Sequence, residues 1–163
     1  MKKQTNLKDE NSLSLIYTSV KETIEFQQVQ RNSLENKANA LSAFAGGMFA
    51  LLMGARETLI LLSEISRVLM LVSIVLFFLS VILNTIVTWV RNYRYDPDPE
   101  TLSKFYLELS EQETKLQLIS NLIGSWKKNK AILERNAVWL RISFISQALG
   151  FILLGVVLFL VII

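Results

Sequence analysis

The chain has 163 residues, 52% of them hydrophobic and only 19% charged, with a mean hydropathy of +0.39. That apolar excess is too large for the interior of a soluble domain of this size. With no cysteine and no histidine, disulfides, thiolate or imidazole metal sites, Cys–His and Ser–His nucleophile pairs and histidine pH switches are excluded.

Residues 1–37 read as an amphipathic helix. Leu13, Ile16, Tyr17, Val20 and Ile24 recur at three- and four-residue steps, and the face continues more weakly through Gln27, Arg31 and Leu34. No Gly or Pro stands between Leu13 and Ala45, so the helix is expected to run on into the first uncharged stretch, 38–55. At 1.5 Å per residue those 18 residues reach about 27 Å, a borderline length for a bilayer core of about 30 Å. The stretch follows 37 polar residues without a cleavage-site pattern and does not read as a signal peptide.

Two further uncharged runs, 68–90 and 142–163, hold 23 and 22 residues, enough to cross. Between them, Asp96-Pro97-Asp98-Pro99 breaks the chain, with Asp98 placed as an N-cap and Pro99 as the first helical residue. From Leu102 a heptad can be written into the last run. Its a positions are Leu102, Leu109, Leu116, Ile123, Lys130 and Ala137; its d positions are Phe105, Gln112, Ile119, Trp126, Leu133 and Leu140. Ser110 and Glu113 fit a capping box, which would end a short helix near Leu109 and start a long one there.

The expected fold is therefore all-α: an integral membrane protein with three transmembrane helices and a cytoplasmic helical bundle or coiled-coil-like region. Its parts are a cytoplasmic helix at 1–37, a transmembrane hairpin at 38–90 with spans 38–55 and 68–90, a cytoplasmic helical segment at 91–141 and a third span at 142–163. Lys and Arg number six before the first run, two in 56–67, nine in 91–141 and none after, an alternation that places both long arms in the cytoplasm and the carboxyl terminus outside. Trp89, Tyr93, Tyr95 and Trp139 fall at the expected interface. Lys127, Lys128, Lys130 and Arg135 are topology determinants that could also meet anionic lipid headgroups. The net charge of +3 does not argue for nucleic acid.

Within the spans, Ser42, Gly46, Ala50 and Gly54 recur every four residues, with Ala43 and Gly47 beside them; Ser146, Gly150 and Gly155 form a weaker set. Such ladders let helix backbones approach closely, within one chain or between chains. Asn39, Asn84 and Gln147 are polar residues in or beside the spans, each needing a partner. They serve as packing glue, or Asn84 and Gln147 line a polar path in an oligomer. No Asp, Glu, Lys or Arg lies inside the spans, which argues against proton relays, voltage sensing and ion-coupled transport. No phosphate-binding glycine loop and no catalytic constellation stand out, so neither an enzyme nor a cofactor is expected. The stripe containing Leu109, Leu116, Ile119, Ile123 and Trp126 is too long for the amino-terminal helix to cover, so it needs either a fold-back of the short 99–109 helix or other copies of the chain; self-association is the expectation.

A cytoplasmic helix ending Leu34-Glu35-Asn36-Lys37-Ala38, flowing into the Gly-rich stretch Leu41 to Leu52, then a second span and an Asp-Pro-opened amphipathic helix, resembles small prokaryotic membrane proteins of the SLATT and Pycsar transmembrane-effector type. The resemblance covers about residues 15–105. It implies an inner-membrane, anti-phage effector that oligomerises on a partner enzyme's signal and damages the membrane. The third span departs from the two-span pattern. Two functions follow as expectations: a self-associating, membrane-permeabilising effector or pore, and a non-conducting anchor or accessory subunit whose cytoplasmic helices recruit a soluble protein.

Overall fold

A computed structural model describes residues 2–54, 63–89, 93, 94 and 99–162. The expected N-cap at Asp98, the interfacial Tyr95 and most of the 56–67 connection lie outside the described residues. Every described element is an α-helix: α1 (Lys2–Gly54), α2 (Glu64–Thr88), α3 (Pro99–Phe105) and α4 (Glu111–Ile162). α1 is unbroken across the expected boundary at 37, as the absence of Gly and Pro before Gly46 requires. α2 starts at an N-cap, where Ser63 Oγ accepts from the Ser66 amide at 3.3 Å, and Glu64 supplies negative charge to its first turn.

The heptad drawn through 102–140 is not one helix. Pro99 opens α3, the chain turns after Phe105, and α4 begins at the capping box. There the Ser110 amide and hydroxyl donate to Glu113 Oε2 at 3.1 and 2.7 Å, and the Glu113 amide returns a bond to Ser110 Oγ at 3.4 Å. The carboxylates of Glu113 and Glu111 are both held below their usual range. For Glu113 the cause is the hydroxyl and amide of Ser110; for Glu111 it is the hydrogen bond and then the charge of Lys115.

The chain divides into two compact units. The first comprises 1–31 and 91–134. Within it Gln27 Nε2 donates to the Trp126 carbonyl at 3.2 Å, and Asn121 Nδ2 donates to the Tyr106 hydroxyl at 2.7 Å. Asn129 takes the Arg94 amide on Oδ1 at 3.0 Å and donates from Nδ2 to the Arg94 carbonyl at 2.9 Å. The Arg31 guanidinium lies 4.3 Å from the centre of the Tyr93 ring.

The second unit comprises 32–90 and 135–163, a three-helix arrangement of α1, α2 and α4. Contacts pair Leu41 with Gln147 and Phe44 with Phe151, so α1 and α4 run parallel. Ser73 meets Gly150, Ser80 meets Ser143 and Val87 meets Asn136, so α2 runs antiparallel to α4. Ala38, Val87 and Leu140 form a fully buried point where the three helices converge, with Leu34, Leu41 and Trp139 packed around it.

Among the described residues, two helices, α2 and α4, are long and apolar enough to cross a membrane. The expected span 38–55 runs past the described end of α1 at Gly54, and residues 38–54 are built from Gly, Ala and Ser at least as much as from Leu and Phe.

Candidate functional site

The buried seam is written in sevens. On α2 the residues Ser66, Ser73, Ser80 and Val87 are buried, each seven after the last, beside Phe77 and Asn84. On α4 the buried series is Asn129, Asn136, Ser143, Gly150 and Val157, beside Leu133, Leu140, Gln147 and Leu154. On α1, Ile24, Ala38, Ala45 and Leu52 keep the same period. A seven-residue repeat keeps one seam facing its neighbours along the length of a helix.

On α4 this corrects the expected register. The d positions Ile119, Leu133 and Leu140 are buried, but the a positions are not: Leu116 is 57% and Ile123 38% exposed. The second buried row lies one residue before them, at the positions that carry Asn, Ser and Gly. Those residues face in because each finds a hydrogen-bond partner on a neighbouring segment or a backbone close enough to need a small residue.

Ser73 Oγ donates to the Gly150 carbonyl. One heptad along, Ser143 Oγ lies 2.8 Å from Ser80 Oγ and donates to Asn84 Oδ1 at 2.7 Å. A further heptad along, Asn136 Nδ2 donates to the Val87 carbonyl at 3.3 Å. Ser146 Oγ donates to the Leu76 carbonyl at 2.9 Å. Gln147 ties all three helices: its Nε2 donates to the Leu41 carbonyl on α1 at 3.1 Å, and its Oε1 accepts from Ser80 Oγ on α2 at 3.3 Å. Gln147 and Asn84 are thus both buried in their own chain's seam, bonded as glue. Asn84 Nδ2 is left without an acceptor among the described residues. Asn39, in contrast, is exposed.

The expected small-residue ladder takes the opposite position. Gly46, Gly47, Ala50 and Gly54 are exposed and Ser42 half-buried. A Cβ built on Gly46, Gly47 or Gly54 would meet nothing within 4 Å. Gly46 borders a shallow apolar groove with Phe49, Phe77 and Phe78. The face that packs on α2 and α4 is Ala38, Leu41, Ala45 and Leu52 instead. Of the weaker set, Gly150 makes a close helix contact: a Cβ there would lie 3.2 Å from the Ser73 carbonyl oxygen and 3.3 Å from Leu76 Cβ. Gly155 has open space around it.

Of the residues expected to drive self-association, Ile119 is buried and Trp126 and Leu109 are partly covered within their own unit. Leu116 and Ile123 stay exposed, as do Leu15, Phe26 and Val29 on α1. Lys127, Lys128, Lys130 and Arg135 are all exposed, with Lys130 lying 5.2 Å from the Trp126 ring centre and 3.9 Å from Glu134. Among the described residues, no group of three or more carboxylates gathers where a metal ion could sit.

The missed signal was the seven-residue recurrence of Ser on α2 and of Asn, Ser and Gly on α4, which is visible in the sequence once polar residues are counted as seam positions. No family model, no curated protein and no solved structure matches this chain.

Proposed function

We propose that this chain is a self-associating membrane protein that permeabilises the bilayer, with α1 as the contact between copies. In this reading α1 enters the membrane from residue 38 as a third span, the first unit is cytoplasmic, and the carboxyl terminus is outside. The observation that carries it is the outward face of α1. Ser42, Gly46, Gly47, Ala50 and Gly54 offer lipid little apolar surface, but they offer another α1 a close backbone approach. A helix less apolar than α2 and α4 is better placed among other helices than against lipid tails. Leu116 and Ile123 would add contacts between first units.

Asn84 and Gln147 do not line the path in this reading, because both side chains are buried inside the protomer. The path, if α1 helices ring it, is bordered by Asn39 and Ser42. The likeness to SLATT-type effectors supports an anti-phage role at the level of architecture alone.

The test is oligomer mass in mild detergent together with dye release from liposomes. Wild type should be oligomeric and leaky, and Gly47→Leu should be monomeric and tight. Monomeric wild type with sealed liposomes at high occupancy would favour the second reading, a non-conducting anchor. The burial of Asn84 and Gln147 within one protomer is the observation on that side.

A further inference from the structure

In the second unit an open groove of about 590 Å³ runs between α1 and α4, a size typical of ligand seats. Its walls are apolar, among them Leu41, Phe44, Leu140 and Phe144, and Lys37 and Arg141 stand on its rim. Each of these cations is the last charge before an uncharged run. Because α1 and α4 run parallel, both stand toward the amino-terminal end of the groove, with Phe44 and Phe144 further along.

Lys21, Lys104, Lys115 and Lys130 each face a glutamate four residues away. Lys37 and Arg141 have no acidic residue three or four positions away on either side, both are exposed, and neither has a carboxylate partner among the described residues. Two unpaired cations over an apolar trough match a ligand that is anionic at one end and hydrocarbon at the other. Arginine grips a phosphate in a bidentate fork and lysine adds a point charge. A helix from the membrane part of a second copy would fill the trough but bring no anion to this end, since 38–54, 65–88 and 136–162 contain no Asp or Glu and Glu64 stands at the opposite end of α2 from Val87, which packs on Ala38.

We propose that this groove seats an anionic phospholipid, with its phosphate between Lys37 and Arg141 and one acyl chain along Leu41, Phe44 and Phe144. The proposal rests on the reading of α1 as a membrane span.

The full chain in mild detergent is titrated with phosphatidylglycerol and with phosphatidylcholine of the same acyl chains, and retained lipid is counted by native mass spectrometry. Wild type should retain the anionic lipid at roughly tenfold lower concentration, a preference in keeping with charge-assisted bonds. Lys37→Gln/Arg141→Gln should abolish the preference, and Lys127→Gln/Lys128→Gln should keep it. Ala137→Trp, which fills the groove and leaves its charges, should lose retention of both lipids. Absence of preference in wild type overturns the proposal, as does equal loss in the Lys127/Lys128 variant. Displacement by millimolar inorganic phosphate would reduce the site to an anion site and also overturn it. So would lipid loss that tracks a change in oligomer mass, because a second copy would then be the occupant. A single cysteine at Phe44, in a chain with no native cysteine, separates the two failures. Labelling by a water-soluble maleimide in phosphatidylglycerol vesicles overturns the span itself; protection without lipid preference overturns the lipid seat alone.

Discussion

Ser73 donates its hydroxyl to the Gly150 carbonyl, while a Cβ on Gly150 would lie 3.2 Å from the Ser73 carbonyl oxygen, a few tenths of an ångström too close. The two backbones are therefore in direct apposition, and the residue at 150 sets how close α2 and α4 come. Gly150→Val should force them apart and lower protomer stability by about 1–3 kcal/mol, the usual cost of overpacking. A thermal melt in detergent, followed by helicity, reads this. Unchanged melting of Gly150→Val would mean the seam tolerates a wider spacing.

Gly46 and Gly47 provide the opposite case. With nothing within 4 Å of a Cβ at either position, Gly46→Leu and Gly47→Leu should not lower the protomer melt, and the gain in helix propensity over glycine should raise it by at most about 1 kcal/mol. The same variants should lose oligomer mass and liposome leakage. Loss of melting and of association together would show that these glycines support the protomer itself.

Gln147 bonds to α1 and α2, whereas Asn84 accepts one bond from Ser143 and leaves its Nδ2 unpaired. Gln147→Leu should therefore cost more stability than Asn84→Leu, within a scale of about 0.6 kcal/mol per bond and at most about 1.7. Ser143 retains Ser80 as a partner in the Asn84 variant, so its hydroxyl is not orphaned. Neither substitution should change leakage per oligomer. A changed ion selectivity in Asn84→Leu would place that side chain in the path after all.

At the start of α4, Glu113 has its carboxyl held below the usual 4.5 by the hydroxyl and amide of Ser110. A depressed folded value means the cap is at full strength above about pH 4.5 and weakens as pH falls through the folded value. Amide exchange at Thr114, whose N–H bonds to the Ser110 carbonyl, should be flat from pH 7 to about 5, after correction for intrinsic rates, and show lost protection below about 4.5. Glu113→Gln keeps the capping geometry without the charge and should remove that acid-dependent loss.

Tyr106 is 8% exposed, and its hydroxyl takes the Asn121 amide at 2.7 Å, fastening the turn after α3 to α4. Tyr106→Phe keeps the ring and orphans the amide, at a cost of about 1 kcal/mol. Limited proteolysis between 106 and 110 should accelerate in that variant while the melt of the second unit stays unchanged. Equal protease resistance would show that the ring alone holds the turn.

Features that rest on local chemistry are legible in the residues alone. Uninterrupted helix formers set the length of α1, Pro99 and the Ser110–Glu113 reciprocal bonds set where α3 and α4 begin, and uncharged length marked α2 and the end of α4. Periodicity also found one buried row of α4, at Ile119, Leu133 and Leu140. Which row lies beside it depends on the packing of neighbouring segments. An Asn, Ser or Gly at every seventh position looks solvent-facing or incidental until another part of the chain supplies its partner, and Ser80, Val87 and Arg94 supply them for Ser143, Asn136 and Asn129. The same holds for α1: small residues permit close approach, but whether Ala45 or Gly46 faces inward depends on what α2 and α4 present to it. Hydropathy is a property of one residue, and satisfaction of a buried polar group is a property of a pair.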